Sequence, residues 1–190
     1  MNRLVTLLVL LLAGLLAGCG GGSRPTGIRA AETPADDVAE YQPRWRSHTV
    51  DSTQYRKVFL AGTIDMGRSA DWQAALVARF RDSIGGRWLF FTPRRREFHA
   101  SPAEMEYQVA WELAHLEAAD LIVMNLLGDS RSPISLLEMG LYARSGKLFV
   151  ACSPDYYRYD NVRITCRRYG VPLYDSLTAL LDDLPQQSDE

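Results

Sequence analysis

An α/β fold built on a parallel sheet is predicted by two observations. Short, continuously apolar runs alternate with helix-patterned segments from Val58 to Leu184, and strands that alternate with helices must be joined by crossovers that cover both faces of a parallel sheet. The alternation lies within residues 55–190, a stretch of about 135 residues, which suits one domain with its own core.

Each element is justified in turn by its period. Val58 to Ala61 read as the first strand, Asp71 to Ile84 as an amphipathic helix, and Trp88 to Phe91 as the second strand. Ala103 to Ala118 form a helix, with Met105, Val109, Leu113 and Leu116 at helical spacing, and Leu121 to Met124 follow as a third strand. Ile134 to Arg144 are helical, Leu148 to Ala151 extended, Asn161 to Tyr169 helical, Pro172 to Tyr174 extended and Ser176 to Leu184 helical. The result is a flavodoxin-like or Rossmann-like three-layer sandwich with a five-stranded parallel sheet. Ligands bind such sheets beyond the carboxyl ends of their strands.

The chain before this domain has a different character. Arg3 precedes the apolar run Leu4 to Leu16, which is too short to span a bilayer and ends at Leu16-Ala17-Gly18-Cys19. That pattern resembles a lipoprotein signal peptide: residues 1–18 would be removed and Cys19 lipidated. Gly20, by the sorting habit of such proteins, favours the outer membrane, with the domain facing the periplasm. Residues 19–54, rich in Gly, Ser and Pro and then in mixed charge, read as anchor and flexible tether, leaving 55–190 as the folded domain.

Composition excludes several functions. A net charge of −2 and a pI near 5.9 provide no basic field for DNA or RNA. Neither GxGxxG nor GxxxxGK[ST] occurs, so no NAD or ATP site is indicated and no cofactor is expected. His48, His99 and His115 lack ligand spacing with the cysteines, and no metal site is expected. Cys152 and Cys166 could pair in an oxidising compartment, or could serve as small core hydrophobes with free thiols.

Polar residues gather in the loops that follow the strands. Gly62-Thr63-Ile64-Asp65-Met66-Gly67 follows the first, with glycines that let a ligand approach the backbone. Pro93-Arg94-Arg95-Arg96 follows the second, either an anion clamp centred on Arg94 or a solvated charge run. The third strand leads through Asn125 to Pro133 into a helix in which Glu138 is flanked by Leu136, Leu137, Met139 and Leu141. A carboxylate in that setting is either surface-facing or a placed functional group.

Phe59-Leu60-Ala61-Gly62, the Gln108, Trp111 and Glu112 positions ahead of Ala119-Asp120-Leu121-Ile122-Val123, and Ser132-Pro133-Ile134-Ser135-Leu136-Leu137-Glu138-Met139-Gly140 together resemble the nucleoside 2-deoxyribosyltransferase family, most closely its transferase-like branch. The resemblance runs from about Val58 to about Val171. It implies a small nucleoside or nucleotide substrate, with Glu138 as the carboxylate that attacks the anomeric carbon. It also implies Glu112 as the group that binds the leaving base and helps protonate it, where relatives hold Asp. Phe59 replaces a tyrosine that orients the nucleophile in many relatives. Ser132 replaces an acidic base-binding residue and resembles the phosphate-binding serine of the deoxynucleoside 5'-monophosphate N-glycosidase branch. Asn161 resembles an asparagine that some relatives supply from a neighbouring subunit, so a homo-oligomer is implied.

Gly62, Thr63, Asp65, Arg94, Ser132 and Asn161 are thus the expected substrate-binding residues, and Glu138 and Glu112 the catalytic ones. The expected activity is cleavage or transfer at an N-glycosidic bond. The alternative is an envelope lipoprotein that binds a nucleoside or nucleotide without turnover. For the anchor, Cys19→Ala should abolish incorporation of labelled fatty acid and move the protein from the membrane to the soluble fraction; unchanged fractionation would contradict the lipidation of Cys19.

Overall fold

The computed structural model describes residues 38–43, 51–83, 86–95 and 101–184. Cys19, His48 and His99 lie outside the described residues, as does the leader expected at 1–18. Six strands, all parallel, form one sheet: β1 (Val38–Tyr41), β2 (Arg56–Gly62), β3 (Trp88–Phe91), β4 (Leu121–Leu126), β5 (Leu148–Cys152) and β6 (Leu173–Tyr174). Their order is β1-β3-β2-β4-β5-β6. Without β1 this is the doubly wound order of the flavodoxin-like fold, and the α/β sandwich expected from the alternation is what forms.

The sixth strand is a correction to the five expected. β1 lies within the stretch read as tether, and it docks on the outer edge of β3 with Val38 opposite Trp88 and Tyr41 opposite Phe91. Four residues are too few to show a period. Its two faces are nonetheless distinct: Val38 packs with one apolar cluster of the domain, whereas Ala39 and Tyr41 pack against the other.

Those two clusters are the two faces of the sheet. On one side lie α1 (Trp72–Ser83) and α5 (Leu177–Asp183), which bury Trp72, Leu76, Val77 and Phe80, and Leu180 and Leu181. The spacing of the α1 residues is one helix face. Phe80 meets the rings of Trp88 and Phe90 edge-on at 4.9 and 5.0 Å, a favoured aromatic geometry. On the other side lie α2 (Pro102–Ala118), α3 (Pro133–Tyr142) and α4 (Tyr159–Tyr169), contributing Leu116, Met139, Val162 and Cys166. Cys152 and Cys166 are buried in this cluster as free thiols.

Side chains at strand and helix starts fix the register. Asp120, just before β4, accepts the Lys57 backbone N–H at 2.8 Å while its own N–H donates to the Lys57 carbonyl. That clamp aligns β4 with β2 and gives the Ala119-Asp120 motif a structural job. Lys147 Nζ donates to the carbonyls of Leu116, Glu117 and Ala119, satisfying the acceptors that a helix end leaves open. Ser101 and Ser176 cap α2 and α5 by accepting backbone N–H groups. Among the described residues no helix is long and apolar enough to cross a membrane.

The helical spacing of Met105, Val109 and Leu113 does not mark a core face. All three are exposed, and only Leu116 at the end of the series is buried. Ile134, Leu137 and Leu141 of α3 are exposed as well. The sheet-facing side of α2 is instead aromatic and polar: Trp111 packs on Phe59, with ring centres 6.3 Å apart, and stacks on His115, which meets Phe91 edge-on.

Candidate functional site

β2 and β4 lie side by side, and the chain leaves them toward opposite halves of the sheet. A crevice therefore opens beyond their carboxyl ends, as it does at the switch point of any doubly wound sheet. The approach there is close. Gly62 has φ +123°, and a Cβ on it would stand 2.2 Å from the Asn125 carbonyl oxygen. Only glycine fits, and it lets Thr63 N–H donate to that same carbonyl at 2.9 Å.

From Thr63 a chain of hydroxyls crosses the crevice. Thr63 is fully buried, and its Oγ1 accepts the Leu127 N–H at 3.1 Å and lies 2.8 Å from Ser132 Oγ. Ser132 Oγ is 2.7 Å from Ser130 Oγ, which donates to Asp65 Oδ1 at 2.9 Å. Each hydroxyl has one proton. With the Ser130 proton on Asp65, Ser132 must donate to Ser130 and Thr63 to Ser132, so every hydroxyl proton points toward the Asp65 carboxylate.

The backbone is strained where this chain is anchored. Asp65, Met66 and Ser132 have φ of +48°, +54° and +39°, values that non-glycine residues rarely adopt. Such conformations concentrate at functional sites. Ser132 precedes α3, yet its hydroxyl does not cap that helix; it is spent on the crossing chain. Tyr156 Oη donates to the Arg131 carbonyl at 2.6 Å and steadies the same loop.

Six residues further along, α3 presents Glu138, which is 8% exposed. Burial pushes its carboxyl up to about 8, and repulsion from the Glu112 carboxylate adds to the effect. Glu112, on α2, is itself raised by burial, against which the Gln108 amide works by donating to its Oε1 at 2.8 Å. Among the described residues nothing hydrogen-bonds to the Glu138 carboxyl. Burial and the negative charge of Glu112 thus keep the Glu138 carboxyl protonated well above the usual carboxylate range. That arrangement can offer one nucleophilic or charge-stabilising carboxylate and one acid, the division of labour used on glycosidic bonds.

The expected binding residues are thus divided. Gly62, Thr63, Asp65 and Ser132 come together in the crevice. Arg94 does not join them: Nε donates to Gln73 Oε1, Nη1 to the Ser69 carbonyl, and Nη2 to Ser69 Oγ and the Ala70 carbonyl, with Asp71 3.5 Å from Nε. Its donors tie down the loop that leads into α1, a structural use that replaces the anion clamp. Asn161 is exposed and lines a groove of about 300 Å³ with Leu136, Met139, Gly140, Arg158, Val162 and Thr165. None of the hydroxyl-chain residues lines that groove. Ser130 carries no signal in the sequence, because only the fold brings it to Asp65.

Comparison with known proteins bears on these placements. The family model described as nucleoside 2-deoxyribosyltransferase like matches residues 55–156, a span that includes Gly62, Glu112, Ser132 and Glu138 but not Asn161. No curated protein matches the chain. A solved structure, of a conserved protein from Enterococcus faecalis V583, is 16% identical; the match covers 70% of this chain and 99% of that one, with a TM-score of 0.51. At that identity the likeness is one of fold.

The buried carboxyl of Glu138 has a measurable cost. The unfolded chain loses this proton near the ordinary 4.5, whereas the folded protein keeps it to about 8. The contribution of Glu138 to folding stability therefore falls as pH rises from 4.5 toward 8. Glu138→Gln, which cannot ionise, should match the parent near pH 4.5 and exceed it by roughly 1–3 kcal/mol at pH 8.5. Thermal unfolding at the two pH values checks this, and an equal difference at both would contradict it.

Proposed function

Because this chain belongs to the nucleoside 2-deoxyribosyltransferase-like family, we propose that it breaks the N-glycosidic bond of a deoxynucleoside or deoxynucleoside 5'-monophosphate, passing the sugar to another base or to water. The observation that carries the reading is the Glu138–Glu112 pair: two partly or wholly buried carboxyl groups, each raised by burial, beside the crevice of a doubly wound sheet.

In the proposed reaction the Glu138 carboxylate attacks the anomeric carbon. The bond to the base breaks, and its electron pair leaves on the base nitrogen. Glu112 supplies a proton to the departing base. The positive charge that develops on the sugar favours the ionised form of Glu138, so substrate drives the Glu138 proton off and Glu112, itself raised by burial, takes up the proton that it gives to the base. A second base, or water deprotonated by Glu112, then attacks the sugar ester, and two inversions give net retention. Thr63, Ser132, Ser130 and Asp65 hold the floor of the crevice. For Ser132 to bind a phosphate it must turn its proton away from Ser130, a rearrangement the nucleoside substrate does not require.

Membrane attachment through Cys19, in the envelope and facing the periplasm, remains part of the proposal and rests on the Leu-Ala-Gly-Cys pattern. Self-association is supported by the exposed Met105, Val109 and Leu113 on α2 and Ile134, Leu137 and Leu141 on α3. Asn161 enters the site only in such an assembly. A second reading, binding without turnover, is favoured by one observation: Phe59 is wholly buried against Trp111 and offers no hydroxyl to Glu138.

On a nucleoside the parent cleaves, Glu138→Ala should lower kcat by roughly 10³-fold or more, as expected for loss of a covalent nucleophile. Glu112→Ala should slow substrates with poor leaving bases more than activated ones. Base release followed by absorbance checks both. Wild-type turnover in Glu138→Ala would contradict the reading and leave the family likeness as one of fold.

A further inference from the structure

Gln108 stands on α2 one turn before Glu112, with 9% of its surface exposed. Its Nε2 donates to the Pro93 carbonyl at 3.0 Å and to Glu112 Oε1 at 2.8 Å. An amide nitrogen has two hydrogens, and both are spent. The Pro93 carbonyl can only accept, so the amide cannot turn round without setting Oε1 against another carbonyl oxygen. Oε1 is thereby fixed as an acceptor, and it is buried without a hydrogen-bond partner among the described residues. Native proteins rarely leave a buried acceptor unmet, and the exceptions call for a ligand or a water.

We propose that Gln108 selects the leaving base, its Oε1 accepting an N–H from a base that presents an amino group beside the ring nitrogen that Glu112 protonates. The proposal rests on Glu112 facing the base. Adenine has this pattern, with the N6 amino group next to the N7 acceptor, whereas a 6-oxopurine places a second acceptor, O6, at the same position. Two acceptors cannot bond, and O6 would lose its water without replacement. A site built to bond one donor rejects the analogue that lacks it more sharply than any apolar pocket does. The same amide also positions Glu112, since its Nε2 holds Oε1 of that carboxyl.

The test is calorimetric titration of the purified protein with free adenine and with hypoxanthine, which needs no turnover. Adenine should bind the parent ~10-fold or more tighter than hypoxanthine, and Gln108→Met should bring the two within ~3-fold. Should Gln108→Met fail to fold, Gln108→Leu serves, because it too removes the acceptor. Equal binding of the two bases, binding of neither, or a preference kept by the folded variant would overturn the proposal. A base preference in a parent that releases no base from any nucleoside would overturn the enzymatic reading alone and leave Gln108 as the selector of a bound base.

Discussion

The close approach of β2 to β4 at Gly62 is the constraint on which the crevice depends. With no Cβ at that position, Thr63 reaches the Asn125 carbonyl. From there the Thr63 hydroxyl can meet Leu127 and Ser132, and Ser130 can meet Asp65. These contacts join two loops that are more than 60 residues apart in sequence. They set the left-handed turn at Ser132, which in turn sets where α3 begins and how it is rotated. Glu138 stands where it does because that start is fixed.

Placing Glu138 there is costly, because a carboxyl on a largely apolar helix loses its water and gains the repulsion of Glu112. The domain tolerates this through packing elsewhere: two apolar clusters fill the faces of the sheet, and Asp120 and Lys147 secure strand starts and helix ends at some distance from the crevice. Stability withheld at a site and supplied by the surrounding core is a general feature of functional clefts. Phe59 belongs to the supporting side of this division, since its ring is packed against Trp111 and has no polar contact to make.

Strands that are wholly apolar, such as Leu121 to Met124 and Leu148 to Ala151, were legible in the sequence because both their faces are covered. β1 was not, since four residues at a sheet edge carry no period and their flanks have the composition of a linker. Helical spacing located α2 correctly but could not say which face is buried; Met105, Val109 and Leu113 face outward, and the inward face uses Gln108, Trp111 and Leu116. Residue type suggested the Gly62 loop and Glu138. It misdirected Arg94, whose donors serve the Ser69–Asp71 loop, and it was silent on Ser130, whose partner lies 65 residues away. Local pattern reports elements well, and it reports long-range hydrogen bonds poorly.

Formation of a covalent sugar ester on Glu138 is the central claim, and intact-protein and peptide mass spectrometry after incubation with a 2-fluoro-2-deoxynucleoside tests it most directly. Fluorine next to the anomeric carbon destabilises the positively charged transition states and slows breakdown of the ester. A single added 2-fluoro-deoxyribosyl mass is expected on the peptide containing Glu138 and is absent from Glu138→Ala. Release of the base with no adduct on that peptide, or an adduct on another residue, would contradict it.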